Sequence, residues 1–394
     1  MWVVQEVAFS KRADIRFGSK QACWADLRRF VLQGEIEPEY ATDFFVSSSL
    51  NSLRLSLHEM LQSHLKDGTI NMTASDLLLL CQFQSASEPK DKVYGAYGLL
   101  QAMGVQLPAP DYTKTTQTVY LETCQAVMAH DNSLRLLGGT DGVRTLDGLS
   151  SWVPDFSSEV KPFPIDLRRE DQRASGSSDA IFSFSHGGSC IRLLGIVVDR
   201  VESCSSGMWW KPSKSFRNQD SNELGRTSLN FVGEFVDWRR LALQLSSYPT
   251  GDSVKEAFMR TVYRQVREPC FENLRKGFDD VWKHSLEVLE KPSSRGPWWV
   301  GFDLECCHPY ADDIKAVELC YYQKFFITHS GYMGLGSIRM EVGDLVCLIS
   351  GFSVPLLMRS IGNGRHGVVG PAHVYGMMRG ELWRDGALKE FDAF

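Results

Sequence analysis

Gly343-Asp344-Leu345-Val346-Cys347-Leu348-Ile349-Ser350-Gly351-Phe352-Ser353-Val354-Pro355-Leu356-Leu357-Met358-Arg359 is the stretch on which the fold turns. Its two apolar runs, Leu345–Ile349 and Val354–Arg359, are too short for ordinary helices and are divided by a glycine-bearing turn, the pattern of successive strands. Lys324–Thr328 before them and Val368–Tyr375 after them repeat it, with turns at Gly331, Gly343 and Gly362 to Gly364. Short strands at this spacing predict a small antiparallel barrel or sandwich. Within the series, Gly331-Tyr332-Met333-Gly334-Leu335-Gly336 reads as a β-turn with positive φ angles. It does not fit a dinucleotide-binding loop, because Arg339 stands where the third glycine belongs.

Upstream the pattern continues as far as about residue 180. Ile181–Ser185 alternates and Ile191–Val201 is rich in β-branched residues, so both read as strands. The polar stretch 202–228, with Trp209 and Trp210 embedded, reads as a long surface loop. Ser253-Val254-Lys255-Glu256 fits a capping box and predicts helices at about 254–267 and 270–290. Before residue 160 the period is helical. Leu50, Leu53, Leu57, Leu61 and Leu65 fall on one helix face, and Tyr120, Cys124, Val127 and Met128 on another, with Thr113 as its N-cap. Ser87 to Gly95 reads as a helix start with Pro89 in the first helical position. The predicted class is α+β: a mainly helical segment over 1–160, then a β-rich domain over 161–394 with a helical insertion at about 253–290. The short Ser/Gly/Asp stretch 174–179 is the one low-complexity tract.

Composition narrows the function. With 43% apolar and 23% charged residues, the 394-residue chain has the balance of a folded globular protein. Forty-two Lys and Arg against 48 Asp and Glu, with no basic cluster, argue against a nucleic-acid partner. No apolar run approaches the roughly 20 residues of a membrane span. Residues 1–15 hold Gln5, Glu6, Lys11, Arg12 and Asp14 rather than a signal-peptide core, so a cytoplasmic protein with reduced cysteines is expected.

The search for chemistry returns little. The Gly-x-Ser-x-Gly elbow, the P-loop and the His-Glu-x-x-His motif are absent. Cys306-Cys307-His308, among Asp303, Glu305, Asp312 and Asp313, lacks the spacing of a structural zinc site, and His329, His366 and His373 are scattered through the strands. No metal and no cofactor is expected. Cys124 with His130, or Ser330 with His329, could be written as nucleophile and base. The first thiol sits on an apolar helix face, and a serine beside its own base has poor attack geometry. Trp209-Trp210 and Trp298-Trp299 could line a pocket for a small apolar ligand, or could simply pack in a core.

Several blocks, taken in order, resemble the fungal heterokaryon-incompatibility (HET) domain family. Trp2-Val3-Val4-Gln5-Glu6-Val7 is similar to the block that closes its N-terminal domain. Glu88-Pro89-Lys90-Asp91-Lys92-Val93-Tyr94-Gly95 is similar to its Asp-Pro-Arg-Asp-Lys-Val-Tyr segment, with Glu88 in place of Asp. Asp111-Tyr112, Ser151-Trp152-Val153-Pro154-Asp155-Phe156, Gly343-Asp344-Leu345-Val346, Arg359 and Gly376 to Glu381 follow. The resemblance gives weight to Gln5, Glu6, Asp91, Tyr94, Asp111, Trp152 and Asp155, although caps and packing account for residues of these types. It places the family's earlier blocks, in a region that resembles NAD-cleaving TIR domains, before residue 1, so NAD cleavage is not expected of this chain. It implies a non-enzymatic protein of non-self recognition or cell-death signalling that acts through a protein partner. The alternative is an accessory protein of a secondary-metabolite pathway that acts on a small apolar molecule.

Overall fold

The computed structural model describes residues 72–158 except 85, then 172–207, 234–264, 320 and 322–394, together with 6, 9–10, 13–24 and 26. The leucine stripe from Leu50 to Leu65, the helix expected at 270–290, Gln5 and all four paired tryptophans lie outside the described residues. The chain divides into two compact units. One is principally Met1–Leu136 with Thr145–Ser157, the other Leu137–Arg144, Ser158–Ser213 and Asn218–Phe394.

The first unit is not wholly helical. Strands β1 (Asp14–Phe17) and β2 (Lys20–Cys23) pair antiparallel with Phe17 opposite Lys20, a two-residue turn that requires positive φ at its first position, which Gly18 supplies at +60°. Among the described residues four helices follow: α1 (Ala74–Cys81), α2 (Asp91–Tyr94), α3 (Tyr97–Ala102) and α4 (Thr116–Asp131). Thr73 caps α1 in a full capping box with Asp76. Asp131 closes the same end, accepting from the Ser75 amide at 2.7 Å and its hydroxyl at 2.6 Å. The cap of α4 is Thr115, two residues beyond the expected Thr113, because Thr113 is already committed to a turn with Asp111. The stripe Tyr120, Cys124, Val127 and Met128 is completely buried, with the Tyr120 ring edge-on to Phe156 at 5.1 Å.

Among its described residues the second unit holds eight further strands: β3 (Phe182–Ser185), β4 (Cys190–Cys204), β5 (Gln323–Thr328), β6 (Met333–Ser337), β7 (Leu345–Ile349), β8 (Leu356–Gly362), β9 (Arg365–Val374) and β10 (Lys389–Ala393). Six of them close a ring in the order β4-β5-β6-β9-β8-β7 and back to β4, every pair antiparallel. Strands β3 and β10 flank the first half of β4, and β10 also runs parallel to the start of β9.

Phe325 and Phe326, adjacent on β5 and both fully buried, serve opposite faces of the ring. Phe326 joins Val201, Val346, Leu357, Val369, Ala372 and Val374 in the interior. Phe325 joins Trp238, Phe258, Val262, Met333 and Leu335 on the outside, where helical residues 234–242 and α5 (Val254–Val262) cover it. A strand covered on both sides carries no alternation, which is why this region reads as continuous apolar runs. The expected capping box at α5 is half formed: Ser253 accepts from the Glu256 amide at 3.1 Å, while the Glu256 carboxylate turns to Arg260 at 2.8 Å.

The glycine run is the clearest departure from expectation. Gly331 does turn, with φ +87°, but Met333–Ser337 is a fully buried strand. A Cβ on Gly334 would lie 2.5 Å from the Phe326 ring and 2.7 Å from the His373 carbonyl oxygen, and one on Gly336 would lie 2.7 Å from Leu357. These glycines let side chains from across the ring approach the backbone of β6. The terminal strand β10 was also not expected, since it is short and largely charged. No described helix is long and apolar enough to cross a membrane.

Gly334→Ala forces the Phe326 ring and a fixed carbonyl apart. It should cost about 2–3 kcal/mol in urea unfolding. Gly386→Ala, which meets nothing within 4 Å, should be nearly neutral. Equal effects would remove the packing reason given for the glycines.

Candidate functional site

In the first unit, two sequence blocks meet at a polar cluster built on α2 and the 110–114 turn. The Tyr94 hydroxyl, on a side chain that is almost wholly buried, donates to the Asp111 carbonyl and accepts from the Asp111 amide, each at 2.9 Å. One phenol thus satisfies both backbone groups of a residue 17 positions away. The Asp111 carboxylate accepts from the Thr113 amide at 2.9 Å and hydroxyl at 2.6 Å, and those bonds hold its pKa below the ordinary carboxylate range. The Tyr112 hydroxyl donates to Asp91 at 2.5 Å, and bonding to that carboxylate pushes its pKa up to about 12. Lys90 donates to the Tyr112 carbonyl at 2.9 Å and Tyr120 to the Pro89 carbonyl at 2.7 Å. Asp91, Tyr94 and Asp111 are therefore brought together, and the hydrogen bonds they make run within this cluster.

Asp155 forms a second hub in this unit. Its carboxylate accepts from the Thr145 amide at 2.6 Å, the Leu146 amide at 3.1 Å, the Ser157 amide at 3.0 Å and the hydroxyls of both Thr145 and Ser157. Burial raises its pKa, but the bonds from Ser157 and Thr145 outweigh that and leave it lowered. Trp152, three positions before it, is completely buried, and Glu6 is exposed.

In the second unit the polar centre is a group of arginines the sequence did not single out as a site. Arg339 follows β6 and is largely buried. It donates from Nε to the Gly142 carbonyl at 3.1 Å and from Nη2 to the carbonyls of Thr140 and Val369 at 2.5 Å each. Burial, with Arg144 nearby, lowers its pKa to about 10, so it stays protonated at neutral pH. Ser337 adds a bond to the Asp141 carbonyl at 3.0 Å, so Leu137–Arg144 is fastened along this side of the ring. Next to it, Arg359 holds Asp344 through Nε at 2.7 Å and Nη2 at 2.9 Å, and reaches Glu341 at 3.1 Å. Asp344 is 2% exposed and also accepts from the Glu341 amide at 2.8 Å. A buried carboxylate paired with a fork of two donors fixes the turn between β6 and β7.

One pocket among the described residues lies in the second unit. About 260 Å³ in volume, it lies between the turn 172–178 and the turn 350–353, and is lined by Gln172, Arg173, several serines and two glycines.

None of these places carries a nucleophile with its base. Cys124 is completely buried, which pushes its thiol pKa up and leaves it inert. His329 is mostly exposed and its Nδ1 lies 3.2 Å from Glu202 rather than on Ser330, whose amide instead meets Asp199 at 3.2 Å. His366 stacks edge-on to Phe391 at 5.4 Å, and His373 is buried in β9. Among the described residues no group of three His, Cys, Asp or Glu side chains is placed to hold a metal. The seven described cysteines are free thiols. Cys306-Cys307-His308 lies outside the described residues.

Residues 301–392 match the family model of the Het-6 β-barrel domain, and that span contains β5 to β9 and most of β10. The chain is 22% identical over 357 residues to heterokaryon incompatibility protein 6, OR allele, of Neurospora crassa, a match that covers 74% of this chain and 48% of the relative. The chain thus spans about half the length of the curated relative it matches. No solved structure matches it.

Tyr94→Phe deletes the hydroxyl that holds both backbone groups of Asp111 and should cost about 1–3 kcal/mol in urea unfolding, with the fold retained. Asp155 has a folded pKa below its unfolded value, so the stability it contributes is present above about pH 4 and fades as pH falls through the folded value. Asp155→Asn should flatten the loss of stability between about pH 5 and pH 3 measured by thermal unfolding. An unchanged acid limb would show that the five donors do not favour the ionised form.

Proposed function

Because the chain is a heterokaryon-incompatibility (HET) family protein, we propose that it acts in fungal non-self recognition or cell-death signalling through protein contacts, with no catalytic step of its own. The ring of six strands is read as the family's small antiparallel barrel, preceded by a mainly helical segment, in a cytoplasmic protein. One observation carries this reading. The motif residues Asp91, Tyr94, Asp111 and Asp155 spend their polar atoms on the chain's own backbone and on neighbouring hydroxyls. Groups used in that way fix a surface; they do not move protons to or from a substrate.

The second reading, an accessory protein acting on a small apolar molecule, rests on Trp209, Trp210, Trp298 and Trp299, which lie outside the described residues, and on His329, His366 and His373, which among the described residues form no group of three metal-ligating side chains. No described residue favours it. The relative's greater length means that the response of the intact signalling protein is itself part of the proposal.

Overproduction in a fungal host tests the reading. Growth arrest or cell death is expected, and it should survive His329→Ala and Ser330→Ala, which remove the nearest resemblance to a catalytic pair. Loss of the response in either variant, with the variant folded and equally abundant, would overturn the non-enzymatic assignment.

A further inference from the structure

Strand β10 closes the end of the ring that β5 and β6 do not reach. At one end Val201–Cys204 of β4 pairs with β5 and Ala372–Val374 of β9 pairs with β6. At the other end Ile191–Gly195 of β4 and Arg365–His366 of β9 pair with β10 instead. Alternation along the strands sorts the contacts by face. On the outer face Arg192 meets Asp392 at 2.7 Å and Glu390 at 3.6 Å, with Arg365 in register with Asp392. Half-exposed pairs of this kind add little. On the inner face Phe391 and Ala393 are buried, in register with Leu193 and Ile191. His366, in register with Ala393, belongs to this side, and its ring stands edge-on to Phe391 at 5.4 Å. Its carbonyl accepts from the Phe394 amide at 3.0 Å.

The groups packed around His366 do not welcome a charge. From β10 come Phe391 and Ala393, from β4 Leu193 and Ile191, and from β8 the exposed Ser360. Lys389 shares the parity of Phe391 but is exposed at the far end of β10. The carboxylates of Glu390 and Asp392 and the guanidinium groups of Arg192 and Arg365 belong to the other face. The His366 Nδ1 is buried and has no hydrogen-bond partner, so the neutral ring carries its proton on Nε2. A second proton would place a charged donor on Nδ1 with no acceptor to meet it. Burial accordingly lowers the His366 pKa, and Asp392 opposes this only in part. A histidine with a lowered folded pKa lends its full stability above about pH 6.5 and loses it as pH falls toward the folded value.

We infer that β10 is an acid-released strap: protonation of His366 frees it from β4 and β9 while the six-stranded ring stays paired. Undocking returns the His366 ring to water, which removes the cost of its charge. It also bares the backbone of β4 at 191–195 and of β9 at 365–366, two edges to which another strand can add. The inference concerns how one end of the barrel is closed and stands independently of the signalling reading.

Hydrogen exchange of the whole chain tests it, read by mass spectrometry between about pH 7.5 and about pH 5.5, above the range in which ordinary carboxylates titrate. After correction for intrinsic exchange, protection of residues 389–394 relative to β6 should fall about tenfold across this range, the weight of one buried donor left unmet. It should return when the pH is raised. His366→Phe keeps a ring against Phe391 but takes no proton, and His366→Gln stays neutral with a smaller side chain, so either variant should hold its protection constant. A fall as large as the parent's in a folded variant would overturn the proposal. Constant protection in the parent would do the same, as would a loss shared equally by β6, since the ring would then open as one.

Discussion

Strand β4 changes partners halfway along, and the ring depends on it. Its first residues, 191–195, pair with β10 on one edge and, through 190–193, with β3 on the other; residues 195–200 then pair with β7 and 201–204 with β5. Gly195 stands at the exchange, where a Cβ would lie 2.4 Å from the Leu348 carbonyl oxygen. Register shifts between Val197 and Asp199 and between Val201 and Ser203 give β4 the added bend and twist that bulges supply. Closure then follows from hydrogen bonding: a sheet with no free edge satisfies its own backbone groups. At the other end β10 bridges β4 to β9, pinned by the two-pronged pair of Arg192 with Asp392 at 2.7 and 3.2 Å.

With the backbone closed, the buried polar side chains finish the connections that strands cannot make. Arg339 ties three carbonyls, and Arg359 with Asp344 ties the β6–β7 turn. In the first unit Tyr94 does for the 110–114 turn what a strand partner would do. A charge taken out of water for such work is costly to leave unpaired, which explains why so many of the distinctive polar residues are engaged within the fold.

The strands were legible where burial leaves a simple mark. Leu345–Ile349 was read to the residue, because a doubly covered strand is an unbroken apolar run. Met333–Ser337 was misread because glycine signals a turn locally and a close approach only in three dimensions. Lys389–Ala393 carries its pairing in the backbone, while its outward side chains give no apolar period. The hairpin at 14–23 was hidden by the helical expectation for its surroundings. Of the candidate residues, Asp91, Tyr94 and Asp111 were visible as motif positions, but their meeting across the fold is a tertiary fact no periodicity contains. The stretch 174–179 showed only as a run of small polar residues, though its turns line the pocket.

The most direct test of the account is to measure unfolding free energy and fungal growth arrest together for the series Asp91→Asn, Tyr94→Phe, Asp111→Asn and Asp155→Asn. If these groups hold the fold, the response should decline in step with stability, variant by variant. A variant as stable as the parent and devoid of response would show that its side chain takes part in chemistry or recognition rather than in support, and would contradict the account.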